Sequence, residues 1–278
     1  MDTTVLNNSV AGELGYAAAP GERAFQYMYE PPAGTAQTNC GYDMRGCRIA
    51  NARLVTSSLA LDTTGFELFD APSEVTDFRD HEQIARVYYR EAEEIARNVT
   101  GGLKAFVFDH LLRRREDGRP RLDMGRRGDG SKPSAVGRVH NDYSESSGKR
   151  RLNMISAAAD FDFPFIILNL WRPVFHPAFD APLAVCDARS FARRDWLECD
   201  VIYPDRQGEI YLGTYSDDHR WYYYPGMLPG EVLAFKTYDS RSDVPARMTP
   251  HCAFDDPTVP SGAPPRCSIE VRCLVVLE

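Results

Sequence analysis

The chain lacks any apolar run approaching the roughly 20 residues that a membrane-spanning helix requires. Its opening residues, MDTTVLNNSVAGELG, have neither the basic start nor the hydrophobic stretch of a signal peptide. No C-x-x-C pair occurs among the cysteines at 40, 47, 186, 199, 252, 267 and 273. An odd number of scattered cysteines predicts reduced thiols in a cytoplasmic protein, not a disulfide framework. A basic excess is also missing: the formal charge of −8 argues against a general nucleic-acid binder, which needs a cationic footprint. Neither a G-x-S-x-G elbow, a phosphate-binding P-loop nor a dinucleotide glycine fingerprint is present, which removes the enzyme classes built on them.

What remains is an ordinary globular composition, 43% hydrophobic and 26% charged over 278 residues, read here as a single domain. Residues 1–20 are small and polar and predict a loosely held arm. Short extended segments broken by Gly65 and Pro72 follow between about 53 and 78. One helix is clear: Ile84, Val87, Tyr88, Glu91, Ala92, Ile95 and Val99 recur at helical spacing, with Asp80 as cap and Gly101-Gly102 as terminator. LKAFVFDHLL (103–112) has strand composition. Residues 113–135 carry seven arginines, four glycines and two prolines and cannot form core. They read as a solvated loop or, because they run into the motif below, as a mobile basic lid.

From residue 136 onward the chain becomes a series of short strands: VGRVH, 165–171, 182–186, 199–203, 209–215, 221–224, 231–238 and 268–277. Possible short turns interrupt near 151–158 and 189–197. Strands at this spacing without crossover helices predict a mainly β protein with flanking helices. Its core is then a double-stranded β-helix, the cupin-like jelly roll, over 136–278, buttressed by residues 1–135.

His140-Asn141-Asp142 sits at the end of VGRVH. Residues two apart on an extended backbone share a face, so an imidazole and a carboxylate can bind one ion together. With six histidines and 40 acidic residues, about one H-x-[DE] triplet is expected by chance, so the triplet alone decides nothing. Order and context add weight: His251 follows near the end of the strand-rich region. Two histidines and one carboxylate form the facial triad of non-heme iron(II) oxygenases, with three positions left open. Arg266-Cys267-Ser268 precedes the last strand, and Arg272 falls on the same face by period 2. A guanidinium with a nearby hydroxyl suits the carboxylate of a 2-oxo acid.

Several segments resemble a known family: VHND (139–142), LNLWRP (168–173), PLAVCDARS (182–190), HRWYYYPGM (219–227), EVLAFKTYDS (231–240), TPHCAFDDP (249–257) and PPRCSIEVRCLV (264–275). They are similar to the family that includes the cephamycin 7α-hydroxylation component CmcJ, the fungal AsaB-type hydroxylase/desaturases and gibberellin-desaturase-like proteins. The resemblance spans roughly 136–278 and is diffuse before that. It implies a jelly-roll core, iron(II), and usually 2-oxoglutarate with O2. It carries over His140, Asp142 and His251 as ligands, and Arg266 with Arg272 as the family's paired arginines. Residues 113–135 are longer and more basic than the family leads one to expect.

Five further residues are pocket candidates. Trp171 and Arg172 end a strand as a pair that either lines a pocket or stacks structurally. Trp221 to Tyr224 alternate faces, so half of the run is expected in the core and half toward a cavity, with Tyr222 as the pocket candidate. Lys236 and Tyr238 share a face of their strand, and a lysine beside Phe235 suits a carboxylate. His81, His110, His176 and His219 are read as structural.

Three functions follow. The first is an oxygenase using iron(II) and 2-oxoglutarate to hydroxylate, desaturate or cyclise a small, carboxylate-bearing natural-product or amino-acid-like substrate. Asp142 disfavours halogenation, which needs that position vacant. The second is an oxidase on the same fold that needs no 2-oxoglutarate. The third is a metal-free cupin-like binding module. Oligomeric state is not addressed by the sequence.

Overall fold

The computed structural model describes residues 8–115, 135–155 and 163–278. The strands are β1 (Ser9–Ala18), β2 (Ala24–Tyr27), β3 (Gly41–Asn51), β4 (Phe66–Asp70), β5 (Lys104–Arg114), β6 (His140–Asn141) and β7 (Phe165–Pro173). They continue as β8 (Leu183–Cys186), β9 (Trp196–Ile202), β10 (Gln207–Gly213), β11 (Trp221–Tyr223), β12 (Glu231–Asp239), β13 (His251–Ala253) and β14 (Cys267–Val276). A nine-stranded sheet runs β1-β3-β11-β8-β13-β6-β10-β9-β2, and a five-stranded sheet runs β4-β12-β7-β14-β5. Most pairings are antiparallel, as expected where no helix carries the chain between neighbouring strands. The result is the mainly β, jelly-roll architecture that the strand spacing predicts.

The two sheets meet face to face through alternating side chains. Leu183 and Val185 of β8 pack with Trp171, Leu233 and Phe235 of the smaller sheet. The intervening residues of β8, Ala184 and Cys186, face the other way, toward Leu14, Tyr16, Ile49, Trp221 and Phe254. That second core exists because the large sheet curls back on itself. Gly15 of β1 bridges to Arg138, immediately before β6, through Val139 N–H to Gly15 O at 2.8 Å. A Cβ on Gly15 would lie 2.9 Å from the Gly137 carbonyl, so this closure requires glycine.

The outer face of the smaller sheet is covered by the helix the periodicity predicts, in three parts: α1 (His81–Gln83), a π turn (Ile84–Tyr88) and α2 (Tyr89–Thr100). Asp80 caps it by accepting from the N–H groups of Glu82 and Gln83. Gly101 ends it at φ 66°, the left-handed conformation that glycine adopts without strain. Ala92 and Ala96 bury against Ile166, Leu168 and Leu170 of β7 and Val271 and Cys273 of β14.

Three expectations need correction. Residues 9–18 are no loose arm: β1 pairs with β3 over its whole length, and Val10, Leu14 and Tyr16 alternate into the core. Between 53 and 78 the only strand is β4; two single 3-10 turns precede it. Where a short turn is expected near 151–158, residues 151–154 instead end α3 (Glu145–Met154), begun by a capping box in which Ser144 and Ser147 satisfy each other's backbone, and 156–158 lie outside the described residues. Of the basic segment 113–135, Arg113 and Arg114 finish β5, and 116–134 lie outside the described residues. Among the described residues no helix is long and apolar enough to cross a membrane.

Candidate metal centre

β6 and β13 are hydrogen-bonded neighbours, and their register sets His140 directly opposite His251. The rings lie with centroids 4.3 Å apart. Asp142, just beyond β6, turns Oδ1 toward both: 3.5 Å to His140 Nε2 and 4.0 Å to His251 Nε2. One donor atom from each residue falls within 4.8 Å of the others, and this is the one such group among the described residues.

The tautomers suit a cation. His140 Nδ1 lies 2.8 Å from the Arg138 carbonyl, and His251 Nδ1 lies 3.0 Å from the Thr249 carbonyl. A carbonyl only accepts, so each Nδ1 carries a hydrogen, and it is Nε2 that is left to offer a lone pair to a cation. Burial, and then His140 beside it, push His251 down to about 3, so it is a neutral imidazole at physiological pH. Burial acts to raise the pKa of Asp142, but the adjacent Arg272 charge and the histidines bring it well below the usual carboxylate range. Two imidazole nitrogens and one carboxylate oxygen, with their other polar atoms bonded, make a donor set that fits a divalent transition metal.

Against this centre opens a cavity of about 500 Å³, lined by the apolar Met28, Leu111, Val136, Val201 and Ile210 and by the polar Arg113, Tyr203 and Arg206, besides His140, Asp142 and Arg272.

The family model described as oxidoreductase/YMDC permease-like domain matches residues 14–276. The hydroxylase/desaturase CTB9 of Cercospora beticola is 31% identical, with 91% of this chain and 86% of that protein aligned. The Fe(II)/2-oxoglutarate-dependent dioxygenase nvfI of Aspergillus novofumigatus is 29% identical across 90% and 89%. A solved structure of the iron and alpha-ketoglutarate-dependent endoperoxidase NvfI superposes with a TM-score of 0.84 at 25% identity, covering 98% of this chain and 99% of that one. The chain belongs to the iron(II)/2-oxoglutarate-dependent oxygenase family.

Within this family member the remaining site candidates divide. Arg266 is buried; its guanidinium donates to the Ala181 carbonyl at 2.7 Å and to Ser268 Oγ at 3.1 Å, and it lies 5.0 Å over the Trp171 ring. Among the described residues no carboxylate is bonded to that guanidinium; Asp180 takes the Arg266 backbone N–H instead. Burial, and then Arg113 nearby, lower the Arg266 pKa to about 9, with Glu270 and Asp180 acting against them. Trp171 is buried with an unbonded Nε1.

Arg272 differs from Arg266. It bonds Asp142, Asp109 and Glu270 at 2.9, 2.9 and 2.6 Å. Arg172 lies over the Tyr88 ring, among the residues beneath the helix. Tyr222 packs by Phe66, 5.8 Å between centroids, in the inter-sheet core. Lys236 is fully buried and bonds Asp62 and Asp239, both at 2.9 Å. Tyr238 stacks on Phe165 under α3. These last four, like Trp171, Arg266 and Ser268, are not among the residues that line the cavity at His140 and Asp142, whereas Arg272 is.

Sequence reasoning passed over Asn169, whose Nδ2 donates to Asp142 Oδ2 at 2.9 Å. The signal was available: it is a polar residue amid the apolar strand FIILNLW. Met28, Tyr203 and Arg206 gave none, because loop and edge residues reach a cavity only through the fold.

Proposed function

We propose that this protein binds iron(II) through His140, Asp142 and His251, and 2-oxoglutarate through Arg266 and Ser268, to oxidise an unactivated C–H bond of a small carboxylate-bearing molecule. The observation that carries the reading is the pairing of that donor set with a second, separate demand for an anion: the buried guanidinium of Arg266, to which no carboxylate is hydrogen-bonded among the described residues. Bound iron supplies oxygen activation, which no side chain here provides.

The protein's own groups bind and orient. The Arg266 fork, with Ser268 Oγ beside it, receives the distal carboxylate of the co-substrate, and the Trp171 ring forms a wall against it. The carbonyls of Arg138 and Thr249 hold the imidazoles in their ligating tautomer. Met28, Leu111, Val136, Val201 and Ile210 exclude water from the substrate's hydrocarbon skeleton. Arg206, stacked 4.1 Å from the Tyr203 ring centroid in the cavity wall, offers a carboxylate a cation. The product is a hydroxylated, desaturated or cyclised natural-product or amino-acid-like acid. Cytoplasmic residence is supported by the thiols, all seven of which are free.

The test is succinate formation from 2-oxoglutarate by iron-loaded protein. Succinate that requires both iron and intact Arg266 supports the reading. Oxygen uptake with no need of 2-oxoglutarate points to an oxidase.

A further inference from the structure

A facial triad leaves three positions open only when its carboxylate ligates through a single oxygen. In this chain two residues outside the triad bear on that. Asp142 Oδ2 accepts both Asn169 Nδ2 and Arg272 Nε, each at 2.9 Å, while Oδ1 is the oxygen turned toward the imidazoles. An oxygen engaged by two donors, one of them charged, is not free to swing onto a metal. Resting on the metal-centre reading above, we propose that Asn169 and Arg272 are positioning residues. They hold Asp142 to one-oxygen ligation and so keep a coordination position open.

The arrangement is built into the sheet. Asn169 and Arg272 are directly paired across β7 and β14, and Asp109 of β5 is the partner of Arg272 on its other side. With Glu270 two residues earlier, three carboxylates surround one guanidinium, and each of its nitrogens is committed. Arg272 lines the cavity but already has three of its five N–H groups on carboxylates, which separates its role from that of Arg266. Asn169 is oriented in turn: the Thr237 hydroxyl lies 3.2 Å from both its Oδ1 and the Ile167 carbonyl and shares its hydrogen between them, while the amide nitrogen faces Asp142. A chain from Thr237 through Asn169 thus ends on the outer oxygen of the ligand.

Cobalt(II) titration of the whole protein, followed by its visible bands, tests this without turnover. The proteins are the unaltered chain, Asn169→Ala, and Arg272→Met combined with Glu270→Gln. The second change in the double variant removes a charge that would otherwise be left buried and unpaired. Both variants are expected to bind cobalt(II) about 10- to 100-fold more weakly, the range for loss of a ligand-orienting group. Their bands should change shape as the carboxylate turns, with far-ultraviolet circular dichroism unaltered. If the double variant does not fold, Asn169→Ala decides alone. Wild-type affinity and band shape in the folded variants overturn the proposal. Failure of the unaltered protein to bind cobalt(II) overturns the metal-centre reading instead.

Discussion

The guanidinium of Arg266 lies 5.0 Å above the ring of Trp171, buried at 3% exposure, and its Nε donates to Ser268 Oγ. A stacked, planar fork of this kind presents its remaining N–H groups in one direction. A charge-assisted hydrogen bond is worth ~1.5–3 kcal/mol, so Arg266→Ala should weaken 2-oxoglutarate binding by about 10- to 150-fold. Arg266→Lys should recover little, because an ammonium cannot reproduce the fork. Calorimetric titration of the manganese-loaded protein with 2-oxoglutarate measures both; unchanged affinity in Arg266→Ala removes the residue from the co-substrate site.

His140→Ala, Asp142→Ala and His251→Ala should each abolish stoichiometric iron(II) binding while the protein stays folded. Each removes one of three donors that converge within 4.8 Å. Metal content after anaerobic loading and desalting is the measurement. A variant that retains a full equivalent of iron has lost no ligand.

Gly148→Ala should destabilise the fold by about 1–3 kcal/mol, the usual effect of overpacking. A Cβ there would meet the Tyr238 ring at 2.3 Å, and that ring is itself stacked on Phe165. A buried aromatic cannot swing aside as a surface chain can. Urea denaturation gives the number; a midpoint equal to the parent's means that α3 shifts freely.

Stability should fall as pH drops below about 6.5, with His219 contributing. Burial lowers the pKa of His219, opposed by Asp195 and Asp218. A histidine depressed in the folded state protonates more readily when unfolded. Its contribution is therefore complete above the unfolded value and is lost as pH falls toward the folded one. His219 bonds the Tyr16 hydroxyl at 3.0 Å and Asp195 at 3.3 Å. His110 and His251 shift the same way and add to the effect. His219→Gln should flatten the decline of melting temperature between pH 6.5 and 5.5 relative to the parent. An identical slope removes His219 as a contributor.

The strands after residue 136 and the helix ending at Gly101 were legible because their signals are local: alternation, caps and a terminating glycine. His140 and Asp142 were legible for the same reason, two residues apart on an extended segment. β1 was not, since Gly12 and Gly15 break its pattern and are there for close approach to Phe254 and the Gly137 carbonyl. α3 has no apolar stripe and folds on its Ser144 cap and its contact with Tyr238. Lys236 looked like an acid-binding residue, but it is committed to Asp62, 174 residues away in sequence, and to Asp239, only three residues on, a local partner that the sequence did offer. Arg266 and Arg272 could not be told apart: only the register across β5, β7 and β14 shows which of them already has carboxylates.

Anaerobic addition of 2-oxoglutarate to the iron(II)-loaded protein tests the central claim most directly. It is followed by the weak visible absorption that arises when a 2-oxo acid chelates ferrous iron. The account predicts a saturable band of one equivalent, absent in His251→Ala and requiring far more 2-oxoglutarate in Arg266→Ala. A protein that retains one equivalent of iron yet shows no band at any 2-oxoglutarate concentration contradicts it.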